Sequence, residues 1–148
     1  MKGQYKKILV AVELIPDEDS RVLETARAFA QQFNASLALV HAVENINGYG
    51  AASAYPAIVD VEEELLKEHK ESLQALANSV GIAAGQQFLE IGSPGVVVAE
   101  AAQAVQADLI IVGSHGRHGL ALLLGSTADS ILHRAECDVL AVRIPNKA

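Results

Sequence analysis

The sequence predicts an α/β domain: an open five-stranded parallel sheet with helices on both faces, of Rossmann-like build. Three observations predict it. Short apolar runs alternate along the chain with longer stretches of helical period, the pattern of strand and crossover helix. The apolar runs are continuous, as strands covered on both faces require. Hydrophobic residues make up 51% of the 148 and aromatics only 4%, so the core is built of small aliphatic side chains that let helices lie close on a sheet. A chain of this length forms one domain and buries roughly 70% of the surface its unfolded form exposes. No second domain, internal repeat or low-complexity tract is visible.

Ile8-Leu-Val-Ala-Val12 reads as the first strand. Pro16-Asp-Glu-Asp-Ser20 then carries helix-start chemistry, a proline early and acids in the first turn. The helix continues through Arg21 to Ala30, with Val22, Ala26, Phe29 and Phe33 on one face, and Asn34 ends it. Ser36 to Val43 is the second strand. Residues 44–57, rich in Gly, Ala, Ser, Asn and Tyr without period, read as a loop. A long amphipathic helix is expected from about Val59 to Val80, with Leu65, Leu66, Leu73, Leu76, Ala77 and Val80 as its apolar stripe and Gly81 as its stop. Within it, His69 and the charges beside it read as a solvated face. Gln86 to Ile91 is the third strand, residues 92–95 a turn, and Val96 to Val105 a short helix. Asp108 to Val112 is the fourth strand, Thr127 to Arg134 the last helix, and Asp138 to Ile144 the fifth strand.

Composition excludes several classes of function. The formal net charge is −7, with no basic block or aromatic-basic interleaving, so a nucleic acid is not an expected partner. Cys137 is the only cysteine, which excludes an internal disulfide and fits a reducing compartment. The N-terminal apolar run breaks at Glu13 and Pro16, too soon for a signal peptide core or a membrane span. A cytoplasmic location is the expectation.

In open parallel sheets ligands sit beyond the carboxyl ends of the strands. Glu13, His41, Ala42 and Gly113 fall there. The chemistry-bearing stretch is Gly113-Ser-His-Gly116, eight further residues, and Gly125-Ser126-Thr127 leading into the last helix. Glycines allow backbone N–H groups to approach an anion, and a helix start offers unpaired N–H groups and positive dipole. Arg117 adds charge; Ser126 and Thr127 add hydroxyl donors. A P-loop is excluded because no lysine precedes Ser126, and a dinucleotide fingerprint because the first strand ends in Glu-Leu-Ile-Pro. The spacing alone leaves two readings open, a phosphate site or an ordinary loop whose Gly125-Ser126 caps a helix.

Other chemistries are weaker. His115 and His118 lie three apart and His133 four before Cys137, but a metal site needs three or four convergent ligands. Cys137 with His133 lacks an orienting third group, so a buried structural thiol is expected. No Gly-x-Ser-x-Gly elbow is present.

Taken together, Tyr5-Lys-Lys-Ile-Leu-Val-Ala-Val, Leu39-Val-His-Ala-Val, Gly92-Ser-Pro, Ala107-Asp-Leu-Ile-Ile-Val-Gly-Ser-His-Gly-Arg, Leu124-Gly-Ser-Thr-Ala and Cys137-Asp-Val-Leu-Ala-Val-Arg resemble the single-domain universal stress protein family over almost the whole chain. The family's nucleotide motif is Gly-x2-Gly-x9-Gly-Ser/Thr. The resemblance implies the strand order 3-2-1-4-5 of adenine nucleotide alpha hydrolase-like folds and ATP at the carboxyl edge of the sheet. By that match Gly113, His115, Gly116 and Arg117, flanked by Val112 and His118, form the ribose and phosphate loop. Gly125, Ser126 and Thr127 form the phosphate-binding helix start. Ala11, Val12 and Glu13 lie beside the nucleotide, and Val40 and Ala42, with His41 between them, belong to the strand whose backbone reads adenine. Mg2+ or Mn2+ is implied through the phosphates, with no metal ligand from the protein itself. The sequence departs from the pattern twice: Arg117 to Leu124 is eight residues rather than nine, and Glu13 stands where aspartate is usual.

Hydrolysis needs a group to orient water and another to stabilise charge at the γ-phosphate, and only Glu13 and Arg117 are near. The expected function is therefore an ATP-binding regulatory protein with little or no turnover and no catalytic residues. A nucleotide-independent interaction protein with a vestigial pocket and a weak ATPase are the alternatives. The last strand, Asp138 to Ile144, is apolar and terminal, an edge open to another chain, and the resemblance implies a homodimer through it. The downstream partner is not legible.

Overall fold

The structure, a computed structural model, describes residues 4–44, 55–115 and 124–145. Five strands, β1 (Lys7–Ala11), β2 (Ser36–Val43), β3 (Gln87–Ile91), β4 (Leu109–His115) and β5 (Asp138–Ile144), form one sheet in the order β3-β2-β1-β4-β5. Every pairing is parallel. Four helices make the crossovers: α1 (Pro16–Phe33), α2 (Tyr55–Ser79), α3 (Pro94–Val105) and α4 (Ser126–Arg134).

Strand alternation sorts the core into two layers. Ile8, Val10, Leu39 and Ile111 pack with Val22, Leu23 and Ala26 of α1 and Leu73 and Ala77 of α2. Leu9, Val40, Ile110 and Val112 pack on the other face with Val97, Val98, Ala101 and Ala102 of α3 and Ala128 and Ile131 of α4. Each large aliphatic side chain so buried is worth about 1.5–3 kcal/mol, and alanines at the contacts let the helices approach. Asn34 ends α1 in the left-handed region at φ 55°, its N–H returned to the Ala30 carbonyl.

Several expected boundaries shift. α2 begins at Tyr55 with Pro56 in its first turn, so the carboxyl end of the expected loop is helical, and the rest, 45–54, lies outside the described residues. Pro94 and Gly95 belong to α3 rather than to the turn before it, for the same reason. A 3-10 turn at Ala84–Gln86 precedes β3. The shift that matters for function is in β4. Its pairing with β5 runs on through Gly113↔Val142, Ser114↔Arg143 and His115↔Ile144, so the first half of the expected glycine loop is strand.

Candidate cleft at the carboxyl edge of the sheet

The carboxyl ends of β1, β2 and β4 and the start of α4 enclose two adjoining hollows. The larger, about 370 Å³, is lined by Ala11, Val12, Glu13, Val40 and residues 41–44, with Leu65 and His69 of α2, Pro94 and Val98 of α3, and Thr127. The smaller, about 140 Å³, is lined by Glu13, Gly113, His115 and residues 125–128. Glu13 and Thr127 border both, so the two lie side by side as the strand-end and helix-start parts of the cleft.

The turn into α1 is pinned by Asp19. Its buried carboxylate accepts the Glu13 backbone N–H at 2.9 Å, which holds Leu14 in the left-handed region at φ 61°, a costly conformation for a branched side chain. Burial pushes the Asp19 carboxyl above its ordinary pKa, against the pull of the backbone N–H groups of Glu13, Ile15 and Leu14. Glu13 is thereby placed at the mouth of the cleft. Although the residue as a whole is exposed, partial desolvation raises its carboxyl pKa, and the Asp19 and Glu18 charges add to the rise. His115 Nε2 lies 2.8 Å from Glu18 Oε1, which ties the end of β4 to the first turns of α1.

The glycines act differently from the sequence expectation. A Cβ on Gly113 would lie 3.1 Å from both Val22 Cγ2 and Ile144 Cγ1. This glycine therefore serves the packing of α1 and β5 against β4, in addition to bordering the cleft. A Cβ on Gly125 would lie 2.9 Å from the His115 backbone nitrogen, so the start of α4 sits directly on the end of β4. The Gly125 N–H is donated to the buried Ser114 hydroxyl at 2.9 Å. It is not available to a ligand. The helix proper begins at Ser126, and no side chain caps it, so the N–H groups of Ser126, Thr127 and Ala128 have no partner within the helix.

Of the expected site residues, the cleft gathers Ala11, Val12, Glu13, Val40, Ala42, Gly113, His115, Gly125, Ser126 and Thr127. Val112 is buried in the core beneath it. Gly116, Arg117 and His118 lie outside the described residues. His133 turns its Nδ1 to the Asp129 carbonyl at 2.8 Å, away from any pairing with Cys137, which is half-buried rather than buried and whose thiol is pushed up by desolvation. Among the described residues no group of three or more His, Cys, Asp or Glu could hold a metal ion, and no helix is long and apolar enough to cross a membrane.

His69 is the correction. It is half-buried, lines the larger hollow, and its Nδ1 lies 3.0 Å from Nε2 of buried His41. The other ring nitrogen of His41 meets the Val12 carbonyl oxygen at 2.7 Å. The signal was present: Leu65, His69 and Leu73 are spaced by four and share one helix face.

Comparison with known proteins places this geometry. The model of the universal stress protein family matches residues 4–143. The chain is 48% identical over 140 residues to universal stress protein A homolog 2 of Coxiella burnetii, covering 95% of this chain and 96% of that one. Among solved structures it is similar to hypothetical protein MJ0577, with TM-score 0.77 and 22% identity over 97% of this chain and 99% of that one. It is also similar to a universal stress protein in complex with cAMP, with TM-score 0.56 and 26% identity over 94% and 97% of the two chains.

Proposed function

The chain belongs to the universal stress protein family, and from that premise we propose that it binds ATP in the carboxyl-edge cleft as a regulatory protein with little or no turnover. The observation that carries this reading is that the two hollows adjoin at Glu13 and Thr127. A hollow able to take a flat base lies directly beside a helix start that no side chain caps. Ser126 and Thr127 add hydroxyl donors at that end, and a phosphate there is favoured by the α4 dipole.

Electrostatics decide the form of the ligand. Glu13, Glu18 and Asp19 crowd the approach, and a bare triphosphate would be repelled by them. A divalent cation, Mg2+ or Mn2+, held by phosphate and water oxygens offsets that repulsion. Glu13 and His115 both border the helix-start hollow, but His115 Nε2 is already engaged by Glu18 at 2.8 Å, and slow turnover is the expectation that a phosphate-release assay tests. The cAMP complex of a related protein motivates a second reading, a phosphodiester ligand, because a single negative charge suits the small helix-start hollow.

The same reading places the protein in the cytoplasm as a homodimer joined through β5. β5 is the last strand of the sheet, with no further strand paired to it among the described residues, and its Val139, Leu140 and Val142 are only half-buried. Binding is tested by calorimetric titration of ATP and of cAMP with Mg2+. Tight ATP binding without phosphate release supports the first reading, and tighter cAMP binding the second. Neither ligand binding a folded protein would favour a partner-binding role for a vestigial cleft.

A further inference from the structure

The base end of the cleft contains a hydrogen-bond relay whose proton positions can be deduced. The Val12 carbonyl oxygen only accepts, so His41 Nδ1, at 2.7 Å, carries the proton. In neutral His41 the other nitrogen, Nε2, is then an acceptor. His69 Nδ1, 3.0 Å away, must donate to it. Neutral His69 therefore keeps its remaining nitrogen, Nε2, as a bare acceptor, and among the described residues nothing engages that atom. Both rings line the larger hollow.

Resting on the nucleotide reading, we propose that His69, its tautomer fixed through His41, is a specificity-determining residue for the base. Its Nε2 accepts a hydrogen bond from the amino group of a 6-amino purine and opposes the carbonyl of a 6-oxo purine. A relay of this kind also has a sign that one proton reverses. Added to His41, that proton makes Nε2 of His41 the donor, and His69 must then carry its own proton on Nε2. Added to His69, it sits on Nε2 directly. Either way the acceptor becomes a donor, and the preference turns toward the 6-oxo purine.

The groups facing the pair are few. Glu13 comes from the end of β1 and Glu44 from the end of β2. α3 presents Pro94 and Val98, α4 presents Thr127, and Leu65 shares the α2 face with His69. Burial of His41 and the proximity of the second ring oppose an extra proton on it, while its bond to the Val12 carbonyl favours one.

ATP and ITP differ in the purine at this edge, and their affinities are compared by calorimetry with Mg2+ at pH 8. The unaltered protein should favour ATP by about tenfold to a hundredfold, the effect of an opposed acceptor pair in a desolvated site. His69→Phe, which keeps the bulk, should still bind ATP but bring the two affinities within about threefold. A second measurement needs no ligand and no variant: nitrogen-15 spectra of the imidazoles should show both protons on Nδ1. Retained discrimination in folded His69→Phe, or a His69 proton on Nε2, overturns the proposal. ATP and ITP binding equally to the unaltered protein overturns it alone. Failure of both to bind overturns the nucleotide reading as well.

Discussion

The Ser114 hydroxyl accepts the Gly125 backbone N–H at 2.9 Å, and both groups are buried. One residue is the last but one of β4 and the other immediately precedes α4, so this single bond helps to set where the first free N–H groups of α4 point. It also spans 11 positions of sequence, across the segment outside the described residues.

Ser114→Ala should leave the Gly125 N–H buried without a partner, at a cost of about 1–3 kcal/mol. Urea unfolding would read this as a lower midpoint with unchanged slope. Anion binding should weaken with it, because the helix start loses its anchor. An unchanged midpoint would mean that the hydroxyl is dispensable.

The two site glycines should fail in different ways. Gly113→Ala presses on Val22 and Ile144 side chains, an overpacking cost of about 1–3 kcal/mol, but leaves the start of α4 in place. Gly125→Ala pushes on the His115 backbone, which has no rotamer to give, and should displace α4. Stability and ATP affinity measured on both should show Gly113→Ala losing mainly stability and Gly125→Ala losing mainly affinity.

Much of this was legible in the sequence. The order of strands and helices, the Asn34 stop and the carboxyl-edge placement of Glu13, His41 and Gly113 follow from apolar runs and turn residues alone. The extent of β4 was not legible, because glycine in a strand is indistinguishable from glycine in a loop until the neighbours that exclude a Cβ are known. Nor was the His41–His69 pair, since two residues 28 apart are joined only by the packing of α2 on the sheet. His69 lies between exposed Glu68 and Lys70, which masked its place on the Leu65–Leu73 face.

Acid should weaken the fold through His41. Burial lowers its pKa from the ordinary 6.5 in the folded state, so the unfolded chain takes the proton first. Its contribution is complete above about pH 6.5 and is lost as pH falls toward the lowered value. Glu13 and Asp19, with raised pKa values, act with the opposite sign: the folded state binds their protons first, so acidification stabilises. Urea midpoints of the parent and His41→Gln across pH 8 to 5 separate the two, and the variant should lack the destabilising component.

Glu13 should govern how charge enters the cleft. Without a divalent cation, ATP affinity should rise as pH falls through the raised Glu13 pKa, because the neutral carboxyl no longer repels phosphate. Glu13→Gln should reproduce that rise at pH 8, by about threefold to tenfold for a charge removed near the surface, and flatten the pH dependence. With Mg2+ present the same variant should gain less or lose.

If β5 joins two copies, light scattering at micromolar concentration should report about twice the 15.6 kDa chain mass. A mass of one chain would remove the dimer from the account.

The central claim is that nucleotide sits in the cleft with its phosphates at the start of α4. The most direct test is calorimetric titration of ATP with Mg2+ into the protein and into Gly125→Val, with circular dichroism confirming that both are folded. The account predicts micromolar binding by the unaltered protein and its loss in the variant. No binding by the unaltered protein, or equal binding by a folded Gly125→Val, would contradict it.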